Sequence, residues 1–87
     1  MTPFDFIEVV VFLCCKYSGS VSSWGRTQKH NDDVGGVANS YHLIWMGVDV
    51  VLDEMVKNDS FEADAKRLGV DPILEGDHYH LQPLGWR

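Results

Sequence analysis

Apolar residues near the start of the chain follow the spacing of one helical face. They occupy positions 7, 10, 11 and 14, with further apolar residues beside them at 6, 9 and 13. Thr2 is a suitable N-cap, Pro3 fits the first helical turn, and the helix dipole favours Asp5 there. We predict a helix that Gly19 ends, although its β-branched run is also compatible with a strand.

Alternating apolar and polar residues predict strands farther along the chain. The segments GVDVVL (47–52) and HYHLQ (78–82) alternate in this way, and VSS (21–23) is compatible with a shorter strand. Residues 24–39 are rich in Gly, Ser, Asn and Asp and predict a long loop. Loops of that length in a small domain often carry function.

A second helix is predicted at NDSFEADAKRLG, residues 58–69. Asp59 or Ser60 would cap its start, basic residues lie late in the segment, and Gly69 would end it. Its buried face is predicted to comprise Phe61, Ala65 and Leu68. These elements together predict an α+β fold, in which two or three helices flank a small antiparallel sheet.

Composition narrows the classes of function. The 87 residues are expected to form one domain, 1–87, because a chain of this length cannot build a second core. Thirteen acidic residues against seven basic ones give a formal net charge of -6. A nucleic-acid surface needs clustered Lys and Arg, and the basic residues here are scattered. We therefore expect no nucleic-acid partner, and we expect a monomer.

Two adjacent cysteines, Cys14 and Cys15, are the only ones in the chain, so no disulfide framework is predicted. They are expected to pack as small apolar groups in a reducing compartment. The apolar run IEVVVFLCC is too short to cross a bilayer, and Asp5 and Glu8 stand where a signal peptide has basic residues. We expect cytoplasmic synthesis without a signal peptide and no membrane partner. Any external substrate would then be reached by lysis, by a partner or by a carrier particle.

Two histidines near the C-terminus are predicted to point to one side of a strand. His78 and His80 are two residues apart, and strand side chains two apart share a face. Glu75 lies just upstream, close enough to reach the same place. The pair is also compatible with an exposed strand surface that has no function.

His42 and Asp49, in the middle of the chain, could add to that pair. They are seven residues apart, so an unbroken strand would point them to opposite faces, but Gly47 can supply a bend. A catalytic zinc site uses three protein ligands, which include imidazoles and carboxylates. One central histidine, one central aspartate and one histidine from the C-terminal strand would meet that requirement.

The order and spacing of these motifs resemble those of zinc D-Ala-D-Ala carboxypeptidases and related phage endolysins. Their superfamily includes lysostaphin-type peptidases and the hedgehog signalling domain. The resemblance covers roughly residues 21–82 and consists of four pieces. These are SSWGRT with Arg26, the GGV loop at 35–37, Ser40-x-His42 with Asp49 seven residues later, and Glu75 followed by HYH.

The resemblance implies a hedgehog/DD-peptidase-like fold and a Zn²⁺ site. His42 and Asp49 would be metal ligands. The third ligand would be His78 in members with a Glu-x-x-His motif, or His80 in members with His-x-His. We favour His80, because the His-x-His pair is intact and the strand continues after it, which leaves His78 beside the metal.

The same resemblance implies how the site would work. Zinc lowers the pKa of a bound water toward about 7 and polarises the substrate carbonyl. Glu75 would be the general base, and Arg26 would hold a substrate carboxylate or carbonyl through its planar guanidinium. Arg26 is also compatible with an ordinary surface arginine. The family usually has glycine where this chain has Trp45, which affects the expected choice of substrate.

The function expected from the resemblance is zinc-dependent hydrolysis of amide bonds in peptidoglycan peptides, by a carboxypeptidase or an endopeptidase. The resemblance, which the short chain suits, also implies a phage-encoded or similarly compact lytic protein. A non-catalytic, zinc-stabilised binding module of the same fold is the alternative, which Trp45 favours. A third possibility is a small structural protein in which these histidines and acids coincide by chance.

Overall fold

The protein, seen here in a computed structural model, has two helices and one four-stranded antiparallel sheet within the described residues, 1–24, 46–54 and 56–85. The elements in chain order are α1 (Pro3–Tyr17), β1 (Gly19–Trp24), β2 (Val48–Leu52), α2 (Asp59–Arg67), β3 (Val70–Glu75) and β4 (His78–Pro83). The strands lie in the order β1-β2-β4-β3. The predicted α+β class is confirmed.

The start of α1 is capped as predicted. The Asp5 amide donates to Thr2 Oγ1 at 3.2 Å, and the Thr2 amide donates to Asp5 Oδ2 at 2.8 Å. This reciprocal pair satisfies amides that the first turn would otherwise leave without partners. The predicted end at Gly19 was one residue late, because Ser18 is the left-handed C-cap with φ 53°.

Gly19 instead begins β1, where a larger residue would be tightly packed. A Cβ at this position would lie 3.1 Å from Leu52 Cδ2 and 3.2 Å from Val50 Cγ1. These side-chain ends would have to shift by a few tenths of an ångström, so the close approach of β1 to β2 favours a small residue here.

The buried face of α1 differs from the predicted one. Phe6, Val10 and Leu13 are fully buried, whereas Val11 is 51% exposed. Apolar residues lie on most sides of this helix, so its sequence pattern does not define which side meets the sheet. No helix in the described part of the chain combines the length and apolarity needed to cross a membrane.

The N-cap of α2 lies one residue before the first of the predicted caps, Asp59, which is instead the first residue of the helix. Asn58 is the N-cap, and its Oδ1 accepts a hydrogen bond from the Phe61 amide at 2.9 Å. Phe61 and Ala65 are buried as predicted, and Leu68 is half-buried. The chain then turns at Gly69, whose φ of 88° is readily reached only by glycine.

Strand β3 was not predicted from the sequence. It pairs with β4 along its whole length, from Val70 opposite Pro83 to Glu75 opposite His78. Pro72 argues against a strand, because proline cannot donate to a sheet hydrogen bond. The position of β3 at one end of the described strand order is where a sheet tolerates proline.

The two faces of the sheet have opposite character. One face joins the side chains of both helices in the hydrophobic core, and its strand residues are Val48, Val50, Leu52, Val70, Tyr79 and Leu81. The alternate positions of β2, β3 and β4 are mainly polar: they carry the apolar Val51 and Ile73 together with Asp49, Asp71, Glu75, His78, His80 and Gln82. Every polar residue singled out on β2, β3 and β4 therefore lies on the face opposite the helices.

A polar contact outside the core joins the two helices. Lys16 Nζ and the Tyr17 hydroxyl both donate to Asp64 Oδ2, at 2.7 and 2.6 Å. These hydrogen bonds, with Lys16 the larger cause, hold the pKa of the Asp64 carboxyl well below its usual range. The ionised carboxylate therefore stabilises the packing of α1 against α2.

We predict that Asp64→Asn lowers the melting temperature near neutral pH and has a much smaller effect in acid. The folded-state pKa is the lower one, so the stabilisation is complete above the unfolded value of about 3.9 and is lost as the pH falls through the folded value. Thermal unfolding of both chains from neutral pH into strong acid measures this difference. A difference in melting temperature that stayed constant throughout would contradict the prediction.

Candidate functional site

Asp49 and His80 meet on the polar face of the sheet. They are direct cross-strand partners between β2 and β4, so their side chains share that face. His80 Nδ1 lies 3.1 Å from Asp49 Oδ1. The side chains are 16% exposed for His80 and 24% for Asp49, so the pair is shielded from water but still reachable from outside.

His78 lies near the same oxygen of the Asp49 carboxylate. Its Nε2 is 3.9 Å from Asp49 Oδ1 and 3.9 Å from Glu75 Oε2. Its Nδ1 is 2.8 Å from Asp77 Oδ1, and this hydrogen bond is the largest cause lowering the pKa of Asp77. The Asp77 carboxylate only accepts, so Nδ1 carries the hydrogen and Nε2 faces Asp49 and Glu75.

Both ring nitrogens of His80 have neighbours. Nε2 lies 3.0 Å from Gln82 Oε1, on the side opposite Asp49. The hydrogen bond with Asp49 is the largest cause raising the pKa of His80 above its usual value; burial opposes it, and Gln82 adds to it. Asp49, His80 and Gln82 thus form a continuous polar row across β2 and β4.

A β-bulge in β1 places a serine beside Asp49. The pairing of β1 with β2 shifts register between Val21 and Ser23, so Ser22 is the extra residue. Ser23 is therefore opposite Asp49 and on its face of the sheet. Ser22 Oγ donates to the Asp49 backbone oxygen at 3.3 Å, which ties the bulge to this position.

The bulge also determines where Trp24 points. Trp24 lies opposite Val48, on the core face, and its ring meets Phe6 edge-on with centroids 6.5 Å apart. Without the extra residue, alternation would place Trp24 opposite Gly47 on the polar face. The predicted loop, 24–39, therefore began one residue too early, because Trp24 belongs to β1.

The structure brings four of the predicted site residues together: Asp49, Glu75, His78 and His80. The other two, Arg26 and His42, lie outside the described residues. The GGV loop at 35–37, Ser40 and Trp45 lie there as well. Gly47, which was predicted to supply a bend between His42 and Asp49, is described and buried just before β2.

The donor types fit a zinc site in part. A carboxylate and two imidazoles are ligands that zinc takes, and both rings approach the same Asp49 oxygen. Within 1–24, 46–54 and 56–85, however, no group of three or more His, Cys, Asp or Glu side chains is arranged to hold a metal ion. A zinc site that includes His42 would use a ligand from outside those ranges.

Sequence reasoning missed three residues around the histidines: Asp71, Asp77 and Gln82. Gln82 continues the two-residue period of His78 and His80, so the strand pattern could have identified it. Asp71 became visible only with β3, which pairs it with Gln82. Asp77 is adjacent to His78, and its contact depends on the turn between β3 and β4.

A cavity of about 320 Å³ lies elsewhere, at the C-terminal end of α1. Its lining residues are Tyr17, Ser18, Leu52, Asp53, Glu54 and Asn58. None of these is a predicted site residue, so the cavity is separate from the histidine cluster.

Comparison of the chain with protein-family models, with curated proteins and with solved structures finds no match. The motifs of the chain and the geometry of Asp49, Glu75, His78 and His80 therefore remain as the features that indicate a function.

Proposed function

We propose that this protein is a zinc-dependent peptidase that hydrolyses amide bonds in bacterial peptidoglycan peptides. The observation that carries the proposal is the convergence of two imidazoles on one carboxylate oxygen. His80 Nδ1 lies 3.1 Å and His78 Nε2 lies 3.9 Å from Asp49 Oδ1. The motif resemblance adds His42 and Arg26 to this cluster.

In the proposed site, Asp49, His80 and His42 would hold the metal. The shorter distance from Asp49 favours His80 over His78 as the ligand on β4. When bound, zinc would supply a Lewis acid that polarises the scissile carbonyl and makes water acidic enough to be deprotonated near neutral pH.

Glu75 is the proposed general base. Its side chain is 50% exposed at the edge of the cluster, where a substrate has access. It would take a proton from the attacking water and return it to the departing amine. His78 Nε2, 3.9 Å from Glu75 Oε2, would help to orient the reacting groups, because Asp77 holds the ring through Nδ1.

The substrate class comes from the resemblance, in which Arg26 would bind a peptide carboxylate or the scissile carbonyl. The planar guanidinium can donate two parallel hydrogen bonds to a carboxylate. The competing proposal is a zinc-stabilised module that binds such peptides without cutting them.

Mass spectrometry of purified peptidoglycan incubated with the zinc-loaded chain tests the proposal. We expect fragments with new amine termini, and we expect none from the Asp49→Ala variant. Asp53→Ala is the matched control, because it removes an exposed carboxylate four residues away and should leave hydrolysis unchanged. Intact peptides with measurable binding would contradict the peptidase and support the binding module.

A further inference from the structure

We propose that Gln82 is a positioning residue that holds His80 in the tautomer able to bind a metal through Nδ1. This inference rests on the proposed zinc site and adds a residue to it. Gln82 lies at the third alternate position of β4, after His78 and His80, and its Oε1 is 3.0 Å from His80 Nε2.

The hydrogen-bonding capacity of each atom limits which ring nitrogen of His80 carries a hydrogen. An amide oxygen only accepts hydrogen bonds, so a ring nitrogen that bonds to Gln82 Oε1 must carry the hydrogen. Nδ1, 3.1 Å from Asp49 Oδ1, also faces a group that only accepts, so without a metal it carries a hydrogen as well. A metal ion bound between Nδ1 and Asp49 would take the place of that hydrogen. Gln82 would then keep the remaining hydrogen on Nε2 and leave the lone pair of Nδ1 for the metal.

The orientation of the Gln82 amide has its own support. Asp71 is the direct cross-strand partner of Gln82, so both side chains project from the same face of the sheet. Directly opposite Cβ atoms lie about 4.5–5.5 Å apart, within reach of both side chains. A carboxylate accepts and does not donate, so the amide is best oriented with its NH₂ group toward Asp71 and its oxygen toward His80.

Burial indicates that this polar row is part of the site. Gln82 is 5% exposed and Asp71 is 7% exposed. Burying polar groups is unfavourable unless they are hydrogen-bonded, and an apolar residue at position 82 would avoid that cost. Ligand histidines commonly donate their second ring N–H to such a carbonyl or carboxylate group. The row from Asp49 through His80 and Gln82 to Asp71 has this arrangement across three strands.

The test measures the zinc affinity of the full chain by competition with a chromophoric chelator. Gln82→Met keeps a side chain of similar length but removes the acceptor, and we expect it to weaken zinc binding about 10–100-fold, as losses of such outer partners do. The double variant Asp71→Asn with Gln82→Glu exchanges the two groups, so that a carboxylate at position 82 accepts from His80 and an amide at position 71 lies beside that carboxylate. It should have most of the wild-type zinc affinity.

Tyr79→Phe is the control for a general loss of stability. It removes a hydroxyl from β4 between His78 and His80, but on the core face, where that group bonds to Asn58 and Glu62. We expect a lower melting temperature with unchanged zinc affinity. Long-range ¹H–¹⁵N NMR of the zinc-loaded wild-type chain adds a readout that needs no variant, and it should show His80 protonated at Nε2.

The outcomes separate this inference from the proposed function. Zinc binding by Gln82→Met as tight as that of the wild type, or a zinc-loaded His80 protonated at Nδ1, would overturn the role of Gln82 and leave the zinc site standing. A wild-type chain that binds no zinc would overturn both.

Discussion

Replacing Glu75 with glutamine is expected to reduce amide hydrolysis by about 10²–10⁴-fold, the usual contribution of a general base. The amide keeps the size of the side chain but cannot accept a proton from water. Zinc binding should be unchanged, because Asp49 and His80 meet without Glu75. Steady-state kinetics and zinc titration of the same preparation measure the two effects separately.

The matched control is Glu54→Gln, which makes the same chemical change at an exposed position outside the histidine cluster. It should leave both hydrolysis and zinc affinity at wild-type values. A Glu75→Gln variant that lost zinc would make Glu75 a ligand, and one that kept full activity would remove it from the mechanism.

Replacing Phe61 with alanine is expected to lower the free energy of unfolding by about 3–5 kcal/mol, as for other buried phenylalanines. Its ring is fully buried and packs on Tyr17 and Tyr79, with centroid distances of 5.5 and 4.7 Å. Domains have roughly 0.05–0.15 kcal/mol of stability per residue, or about 4–13 kcal/mol for a chain of this length. The substitution should therefore remove a large part of the total.

Urea denaturation measures the effect, with Phe4→Ala as the control. Phe4 is 78% exposed on α1, so its removal should change stability by less than about 0.5 kcal/mol. A loss below about 1 kcal/mol for Phe61→Ala would contradict the described core, because cavities of this size cost more.

The same packing connects the core to the candidate site. Tyr79 lies on β4 between the two histidines and points to the opposite face, where its ring meets Phe61. Its hydroxyl accepts a hydrogen bond from the Asn58 amide at 2.9 Å and donates one to Glu62 at 2.8 Å. The start of α2 therefore holds the strand that carries His78 and His80.

Local patterns in the sequence predicted the elements whose signals are strong. The cap at Thr2 and the shared face of His78 and His80 follow from contacts between residues a few positions apart. The side of α1 that faces the core could not be predicted in this way, because apolar residues surround most of that helix. It depends on the sheet, which residues distant in the chain form.

The contact between Asp49 and His80 is another feature that local sequence patterns could not predict. The resemblance placed both residues at one site, but their contact depends on β2 pairing with β4 in a particular register. The alternation of each strand is compatible with several partners and registers. Gln82 and Asp71 were missed for a related reason, since their pairing requires β3, in which Pro72 obscures the strand signal.

Anomalous diffraction from crystals of the zinc-loaded chain, recorded at the zinc absorption edge, is the most direct test of the zinc centre. We expect one zinc peak per chain, from an ion bonded to both the Asp49 carboxylate and His80 Nδ1. A chain that crystallises in zinc without such a peak, or with zinc bound only at other residues, would contradict this expectation.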